Sequence, residues 1–497
     1  MSLTINLIGI AVTCIVTWIY WRWLEVKKYW LELDVPHLSP HPIMGSLTFL
    51  LKINTGIWMR QIYNQYKNPY VGIWLFWRPA LIINSPEIAR NILVKDFVIF
   101  KDRFLKCGDK DPIGNMNLFC NKDPMWSNVR RQLSNTFSAA KLRSLDDYVQ
   151  SKSKELEQRI NNDLDKKIEL KDLYVDYSTD IIGTTAFGVS CNATLTGKDP
   201  IRTLTGEFSK FTILRGLSWC CIFFLPDLVD VFRFKLLPES TTYYFRRIIR
   251  MVIADRETNR DKWGRNKDLL DALLKLQKED ETCYSEDFLI AEATAFLIGG
   301  FDTTASALTF ITYELAYYPE IQEKLYQELQ KAKQKHGSGN FDTNILAELT
   351  YLNCVIKEGL RKYPPMGWMD RIAATDYKID HKLTIKAGTP VYVNAIGMHY
   401  DPEYFPDPEK FDPDRFLPEN EVNIRPYTYM PFGEGPRMCI GLRFGIMTLR
   451  YALTSVFLNY KVEPYSNSPK PKDIKINNRG MFYMPGEKLH VKFISRV

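Results

Sequence analysis

Phe432-Gly433-Glu434-Gly435-Pro436-Arg437-Met438-Cys439-Ile440-Gly441 leads into an apolar stretch, residues 440–460, that predicts a helix. A cysteine at the start of a helix can be held as a thiolate, because the unpaired N–H groups there favour negative charge. Gly433 and Gly441 allow the backbone to bend tightly and to approach a flat macrocycle. Arg437 can pair with an acidic group of that macrocycle, and Phe432 can shield the sulfur from water. We interpret Cys439 as a metal-binding thiolate; the alternative is a buried structural cysteine in a Gly-rich turn.

A second motif, Gly299-Gly300-Phe301-Asp302-Thr303, falls inside a helical pattern that spans residues 285–317. Glycines in mid-helix cost about 1 kcal/mol each relative to alanine, so a pair of them indicates a specific role. The glycines can loosen the helix so that a small ligand lies against its backbone at Gly300. Thr303 can then hydrogen-bond to that ligand, and Asp302 can pass protons to it from solvent. The alternative is a kinked core helix with a satisfied threonine.

Most of the remaining chain has a helical pattern. Apolar residues recur at spacings of three and four between residues 127 and 379, whereas β-rich runs occur at 71–76, 80–84 and within 376–396. No long Gly/Ser-rich or Pro-rich linker divides the 497 residues. The sequence therefore predicts one large, mainly α domain with a minor β-rich subdomain.

The net charge of +7 fits a surface that faces acidic lipid or an acidic protein partner. No basic stripe interleaved with aromatic residues is present, so nucleic-acid binding is not indicated. The nine cysteines include no CxxC pair, which indicates a reduced, cytosol-facing protein rather than a disulfide framework or a zinc cluster.

The N-terminal stretch, residues 3–21, carries no charged side chain and nearly spans a hydrocarbon core of ~30 Å. Trp18 and Trp21 stand at its end, as in an interfacial belt, and Arg22 and Lys27 follow. The positive-inside rule then places the N-terminus across the membrane, in the lumen, and the rest of the chain in the cytosol. The alternative is a cleaved signal peptide, but neither a basic n-region nor a small-residue cleavage site is present.

This pattern predicts three segments. Residues 1–24 form a single transmembrane anchor, and residues 25–45, which contain Pro36, Pro40 and Pro42, form a stiff hinge. Residues 46–497 form the catalytic domain.

Several of these stretches resemble motifs of the cytochrome P-450 superfamily. Residues 432–441 match FxxGxRxCxG at every specified position, and residues 299–303 are similar to [AG]Gx[DE]T. Residues 358–361, 413–416 and 126–130 resemble ExxR, PxRF and WxxxR. The chain is similar to microsomal insect enzymes of the sixth family, a xenobiotic-metabolising group.

The resemblance implies a cytochrome P-450 fold and a haem b cofactor, iron protoporphyrin, with Cys439 as the axial ligand of the iron. It assigns contacts with the haem propionates to four residues, namely Trp126, Arg130, Arg371 and Arg437.

The Glu358–Arg361 pair, three residues apart on one helix face, would by itself be a common surface ion pair of little energetic value. The resemblance implies instead that Glu358, Arg361 and Arg415 form a buried cluster that holds the thiolate loop. By position in the family, the substrate pocket would be lined by Phe104, Phe119, Phe296, Met366, Trp368 and Phe482. The alternative for each pocket residue is an ordinary core position.

The resemblance implies a membrane-bound, NADPH-dependent haem-thiolate monooxygenase that inserts one oxygen atom from dioxygen into lipophilic small molecules, xenobiotic or endogenous. Because the chain has no Walker, GxGxxG or flavin fingerprint, its electrons must come from a partner. By resemblance, that partner is NADPH–cytochrome reductase on the same endoplasmic reticulum membrane, and we expect the chain itself to be a monomer. Candidate docking residues are Arg131, Lys141, Arg143 and Arg443.

Two other functions stay open. A haem-thiolate isomerase or dehydratase rearranges peroxides without dioxygen, but such enzymes lack the acid–alcohol pair that Asp302 and Thr303 form here. A non-catalytic haem protein that binds lipophilic molecules would not need the glycine pair that lets a small ligand lie against the helix. Turnover with NADPH and reductase would exclude this alternative.

Overall fold

The computed structural model of the chain describes residues 2–189, 191–258, 268–337 and 341–496. Met1 and Val497, the outer ends of the predicted anchor and catalytic domain, lie outside these ranges. Over the first two ranges the α-helices are α1 Ser2–Glu32, α2 Thr55–Gln65, α3 Pro86–Arg90, α4 Pro112–Asn115, α5 Met125–Ser134, α6 Ala139–Arg143, α7 Asp146–Asn162, α8 Leu170–Phe187, α9 Ala193–Thr196, α10 Pro200–Ser209, α11 Ile213–Phe224, α12 Asp227–Phe232 and α13 Glu239–Thr258.

The later α-helices hold most of the motifs found in the sequence. They are α14 Leu269–Glu279, α15 Glu286–Tyr317, α16 Pro319–His336, α17 Thr343–Glu348, α18 Thr350–Lys362, α19 Ala395–His399, α20 Pro418–Glu421 and α21 Leu442–Asn459. Short 3-10 helices lie at Leu47–Leu51, Asn135–Phe137, Pro413–Phe416 and Pro471–Asp473, and a π-helical turn lies at Asn91–Lys95.

Small sheets accompany the helices. The strands are β1 Tyr70–Leu75, β2 Arg78–Ile83, β3 Ile168–Glu169, β4 Met369–Ile372, β5 Tyr377–Lys378, β6 Thr384–Ile385, β7 Pro390–Val393, β8 Tyr460–Pro464 and β9 His490–Ser495. One sheet has the order β1-β2-β7-β4, in which β2 and β7 are parallel and the other pairs antiparallel. The others have the orders β3-β9-β8 and β5-β6. The predicted mainly α fold with a minor β-rich part is confirmed.

Helix α15 crosses the core. It begins at an N-cap, where the Ser285 hydroxyl accepts a hydrogen bond from the N–H of Phe288 at 3.3 Å, and Glu286 and Asp287 favour its positive N-terminal end. It packs against α8 and α21. The Gly-Gly-Phe-Asp-Thr motif on α15 and the cysteine loop before α21 are thereby brought to opposite sides of one interior space.

Helix α1 extends beyond the predicted anchor. It contains an apolar run of 18 residues with a mean hydropathy of 1.7, in which no residue is buried, and the helix is long enough to cross a membrane. The predicted boundary between anchor and hinge, residues 24–25, therefore lies inside the helix. The indole N–H of Trp30 donates to the carbonyl oxygen of Ile73 at 3.0 Å, so the C-terminal end of α1 is packed on β1.

Candidate active site

A cavity lies between α15, the loop at residues 431–441 and a segment that runs from Arg103 to Arg130. It encloses about 2150 Å³, including its opening to solvent. Part of its wall is a cluster of arginine side chains, and most of the remainder is apolar.

The side chain of Cys439 is exposed to this cavity. Its backbone N–H donates to the carbonyl oxygen of Phe432 at 2.9 Å, which closes the loop. Gly433 adopts a positive φ of 72°, a conformation that glycine adopts at little cost. Burial raises the pKa of the Cys439 thiol, whereas the backbone N–H of Gly441 and the Arg130 guanidinium lower it.

The guanidinium of Arg437 is buried beside the cavity. Its Nη2 donates to the carbonyl oxygen of Asn121 at 2.9 Å and to Oδ1 of Asp102 at 3.1 Å, and its plane lies 4.2 Å from the ring centre of Trp126. Nη1 is buried and has no hydrogen-bond partner among the described residues. Burial, with the nearby Arg103, lowers the pKa of Arg437 to about 10, against the opposing effect of Asp102.

Arg371 on β4 is also a buried arginine beside the cavity, and it too has an unpartnered nitrogen. Its Nη1 donates to the carbonyl oxygen of Asp370 at 2.7 Å, while its buried Nε finds no partner in the described part of the chain. Burial and the neighbouring Arg103 lower the pKa of Arg371 to about 9. Arg130 also lines the cavity, and burial lowers its pKa. This arginine cluster fits a ligand that carries more than one carboxylate.

On the opposite wall, the hydroxyl of Thr303 donates to the carbonyl oxygen of Gly299 at 2.7 Å. Oδ1 of the buried Asp302 lies 3.9 Å from Nζ of Lys171, and burial raises the pKa of this carboxyl. A Cβ atom at Gly299 would meet nothing within 4 Å, whereas one at Gly300 would lie 2.8 Å from the Ile182 side chain on α8. Both glycines line the cavity. The absence of a side chain at Gly299 leaves open space beside α15, and its absence at Gly300 lets α15 pack closely against α8.

The family profile described as Cytochrome P450 matches residues 35–493. The chain belongs to the cytochrome P450 family. It is 35% identical to cytochrome P450 6l1 of Blattella germanica over 451 residues, which cover 89% of this chain and 88% of that protein. It is 34% identical to the probable cytochrome P450 6g2 of Drosophila melanogaster, over 94% of this chain and 93% of that protein. The predicted similarity to insect enzymes of the sixth family is confirmed.

Membership in the P450 family implies a haem iron cofactor and the chemistry of a monooxygenase, and the site fits this cofactor. The unpartnered N–H groups of Arg371 and Arg437 are donors of the kind that the haem propionates require. Gly299 provides open space where a flat ligand can approach α15, and Cys439 provides a sulfur at the start of a helix.

The charge cluster that was predicted to hold the thiolate loop consists of Glu358, Arg361 and Arg415. Glu358 and Arg361 are fully buried and form a double hydrogen bond, with Nε–Oε2 at 2.7 Å and Nη2–Oε1 at 2.8 Å. Nε of Arg415 lies 3.6 Å from Oε1 of Glu358. Arg361 also donates to the carbonyl oxygen of His399, whose Nε2 accepts the N–H of Met430 at 2.9 Å. The cluster is thereby connected to the loop that carries Cys439.

Five of the six predicted pocket residues line the cavity: Phe119, Phe296, Met366, Trp368 and Phe482. The structure does not bring the predicted Phe104 to the cavity wall. Its side chain is buried in a core cluster and lies under the Arg78 guanidinium, 5.4 Å from the ring centre. The neighbouring Arg103, which the sequence reasoning missed, lines the cavity instead, and its Nη1 lies 3.6 Å from Oδ1 of Asp370.

Proposed function

We propose that this chain is an NADPH-dependent haem-thiolate monooxygenase of the endoplasmic reticulum membrane. It inserts one oxygen atom from dioxygen into lipophilic small molecules, xenobiotic or endogenous. The observation that carries the proposal is that the Cys439 sulfur, the arginine cluster and Thr303 line one cavity whose remaining wall is mostly apolar.

When bound, haem b supplies the iron at which dioxygen is reduced with electrons that originate from NADPH. Cys439 would hold the iron through its sulfur, and Arg371 and Arg437, together with Arg103 and Arg130, would hold the propionates. Trp126, for which the resemblance implied a propionate contact, lines the cavity, and its ring stacks on the Arg437 guanidinium and so orients that side chain. Phe432, whose ring lies close to Gly445 beside the loop, would keep water from the sulfur.

The acid–alcohol pair on α15 supports proton delivery. Because burial raises its pKa, the Asp302 carboxyl can hold a proton at Oδ1 at a pH where an exposed aspartate would have lost it. Thr303 uses its proton to donate to the Gly299 carbonyl, which leaves the lone pairs of Oγ1 free to accept a hydrogen bond. The pair can therefore move protons from the Lys171 side of α15 towards the cavity.

The electron donor in this proposal is NADPH–cytochrome reductase. Arg131, Arg143 and Arg443 are exposed, Lys141 is half-buried, and α6 contacts α21, the helix that follows the thiolate loop. These positive charges near the sulfur suit an acidic partner surface. Helix α1 supports a membrane anchor, with its basic end on the cytosolic side and the chain start in the lumen. We expect a monomeric catalytic domain over residues 46–497, with residues 25–45 joining it to the anchor.

The proposal is tested by the absorption spectrum of the reduced carbon monoxide complex. Wild type and a control, Cys354→Ser at another buried cysteine, should show the red-shifted Soret band of thiolate ligation, and Cys439→Ser should lose it. With reductase and NADPH, isotopically labelled dioxygen should place one labelled atom in the product. A protein without porphyrin, or a Cys439→Ser variant with an unchanged spectrum, contradicts the proposal.

A further inference from the structure

A second carboxyl group on α15, that of Glu292, lines the cavity, and no charged side chain pairs with it in the described part of the chain. The residue has no exposed surface, and neither Oε1 nor Oε2 has a hydrogen-bond partner among the described residues. Glu292 precedes Gly299 by seven residues and Thr303 by eleven, so all three share one face of the helix. At ~1.5 Å per residue, Glu292 lies about 10 Å along the helix axis from Gly299.

The backbone N–H of Leu118 is close enough to lower the pKa of Glu292, but this effect is smaller than that of burial, and the other polar side chain on this part of the cavity wall is engaged elsewhere. The amide nitrogen of Asn117, which also lines the cavity, donates to the carbonyl oxygens of Ile113 and Gly114 at 3.0 and 2.7 Å. Its side-chain oxygen accepts the N–H groups of Phe119 and Cys120. No ion pair involves Glu292 within the described ranges, in contrast to Asp302, which has Lys171.

A buried carboxyl without a charged partner costs free energy, and because Glu292 lines a cavity, a ligand in that cavity can supply the missing partner. Burial raises the pKa of Glu292 to about 8. Ionisation of this carboxyl therefore becomes favourable when a positive charge lies beside it. The surrounding apolar side chains, among them Phe296 and Phe119, offer no such charge and suit a hydrocarbon body.

We infer that Glu292 recognises a cationic nitrogen, so that the cavity accepts lipophilic amines and other organic cations. The inference rests on the proposed monooxygenase function and names a substrate class for its cavity. The positive end pairs with Glu292, and the apolar body extends along α15 towards Gly299. A ligand with a neutral hydrogen-bond donor is the competing occupant, and if it is the true one, the cation should bind equally to wild type and to Glu292→Gln.

The test uses two ligands of the same shape on the purified haem-loaded protein, 4-phenylbutyltrimethylammonium and its neutral isostere (5,5-dimethylhexyl)benzene. Neither can coordinate iron or donate a hydrogen bond. Binding is measured by calorimetry and by the ligand-induced spin shift. Glu292→Gln should raise the Kd of the cation at least about tenfold and leave that of the isostere within about twofold. Glu157→Gln, at a carboxyl outside the cavity, should change neither.

A second variant and a comparison of the two ligands on wild type complete the test. Glu292→Met should also weaken cation binding and should leave or improve isostere binding. In wild type, the two Kd values should agree within about tenfold, because pairing offsets the desolvation of the charge. A cation that binds about a hundredfold more weakly than its isostere, or equally to wild type and Glu292→Gln, overturns the inference. If the isostere still binds and is oxidised, the proposed function stands; a protein without the thiolate spectrum removes both.

Discussion

The ammonium nitrogen of Lys171 lies 3.9 Å from Oδ1 of Asp302, and the Lys171 side chain is partly exposed while the carboxyl is almost fully buried. Oδ1 has no hydrogen-bond partner among the residues described. The Lys171 side chain therefore faces solvent on one side and, on the other, the carboxyl of the Gly-Gly-Phe-Asp-Thr motif. Its positive charge, with that of Arg215, lowers the pKa of Asp302 against the larger effect of burial.

We expect Asp302→Asn to lower product formation at least about tenfold, because the amide keeps the shape of the side chain but cannot carry the proton. Haem content should not change, and the NADPH consumed per product should rise. Lys171→Met keeps the carboxyl and should have a smaller effect. The measurement is product and NADPH turnover in the reconstituted system, and an Asp302→Asn variant with wild-type rate and stoichiometry would rule out the proton role.

Two glycines offer a matched test of the thiolate loop. Gly435 and Gly388 adopt positive φ values of 74° and 80°, so alanine at either position is strained. A Cβ at Gly388 meets nothing within 4 Å, whereas one at Gly435 collides with the carbonyl oxygen of Leu93. Gly388→Ala should therefore cost only about 1–2 kcal/mol of unfolding free energy, and Gly435→Ala should cost more and lower the haem bound per protein. Equal haem content in the two variants would show that the loop tolerates displacement.

Short-range patterns predicted the centre of the site. The residues around Cys439 lie within ten positions of one another, and their roles follow from local chemistry, namely tight turns, a helix start and one cation. Helical spacing alone brings Glu358 and Arg361 together on one helix face, but it indicates only a surface ion pair. That the pair is buried with Arg415 was implied by the family resemblance.

Long-range packing explains what the sequence did not predict. Arg103 and Phe104 are adjacent in an irregular segment, and only the surrounding structure determines which side chain faces the cavity. The sequence favoured the aromatic residue, but Phe104 packs under Arg78 and Arg103 joins the arginine cluster. His399 was missed for the same reason, because its connection between Arg361 and Met430 joins elements far apart in the chain.

The unpartnered guanidinium groups give a prediction for haem retention. Arg371→Gln removes a buried donor and its charge, so haem should dissociate from the variant about 10- to 100-fold faster than from wild type. Arg103→Gln should have a similar effect, although no sequence motif marks Arg103. Arg425→Gln, in an exposed ion pair with Glu87, is the control and should match wild type. Haem transfer to an excess of apomyoglobin measures the rates, and retention in both cavity variants would contradict the propionate assignment.

The carboxyl of Glu292 gives stability a specific pH dependence. Burial raises its pKa from 4.5 to about 8, so between these values the folded protein holds a proton that the unfolded chain has released. Its contribution to the free energy of unfolding is therefore complete below pH 4.5 and is lost as the pH rises through 8, at about 1.4 kcal/mol per pH unit. Glu292→Gln removes this loss, so variant and wild type should diverge by about 3 kcal/mol between pH 5 and 7.5 in urea titrations of the haem-loaded protein.

Buried His399, whose pKa is lowered to about 3, titrates equally in both proteins and cancels in the difference. Glu320→Gln, at an exposed carboxyl, should run parallel to wild type, and a parallel curve for Glu292→Gln would mean that the carboxyl is solvated or paired in the folded protein.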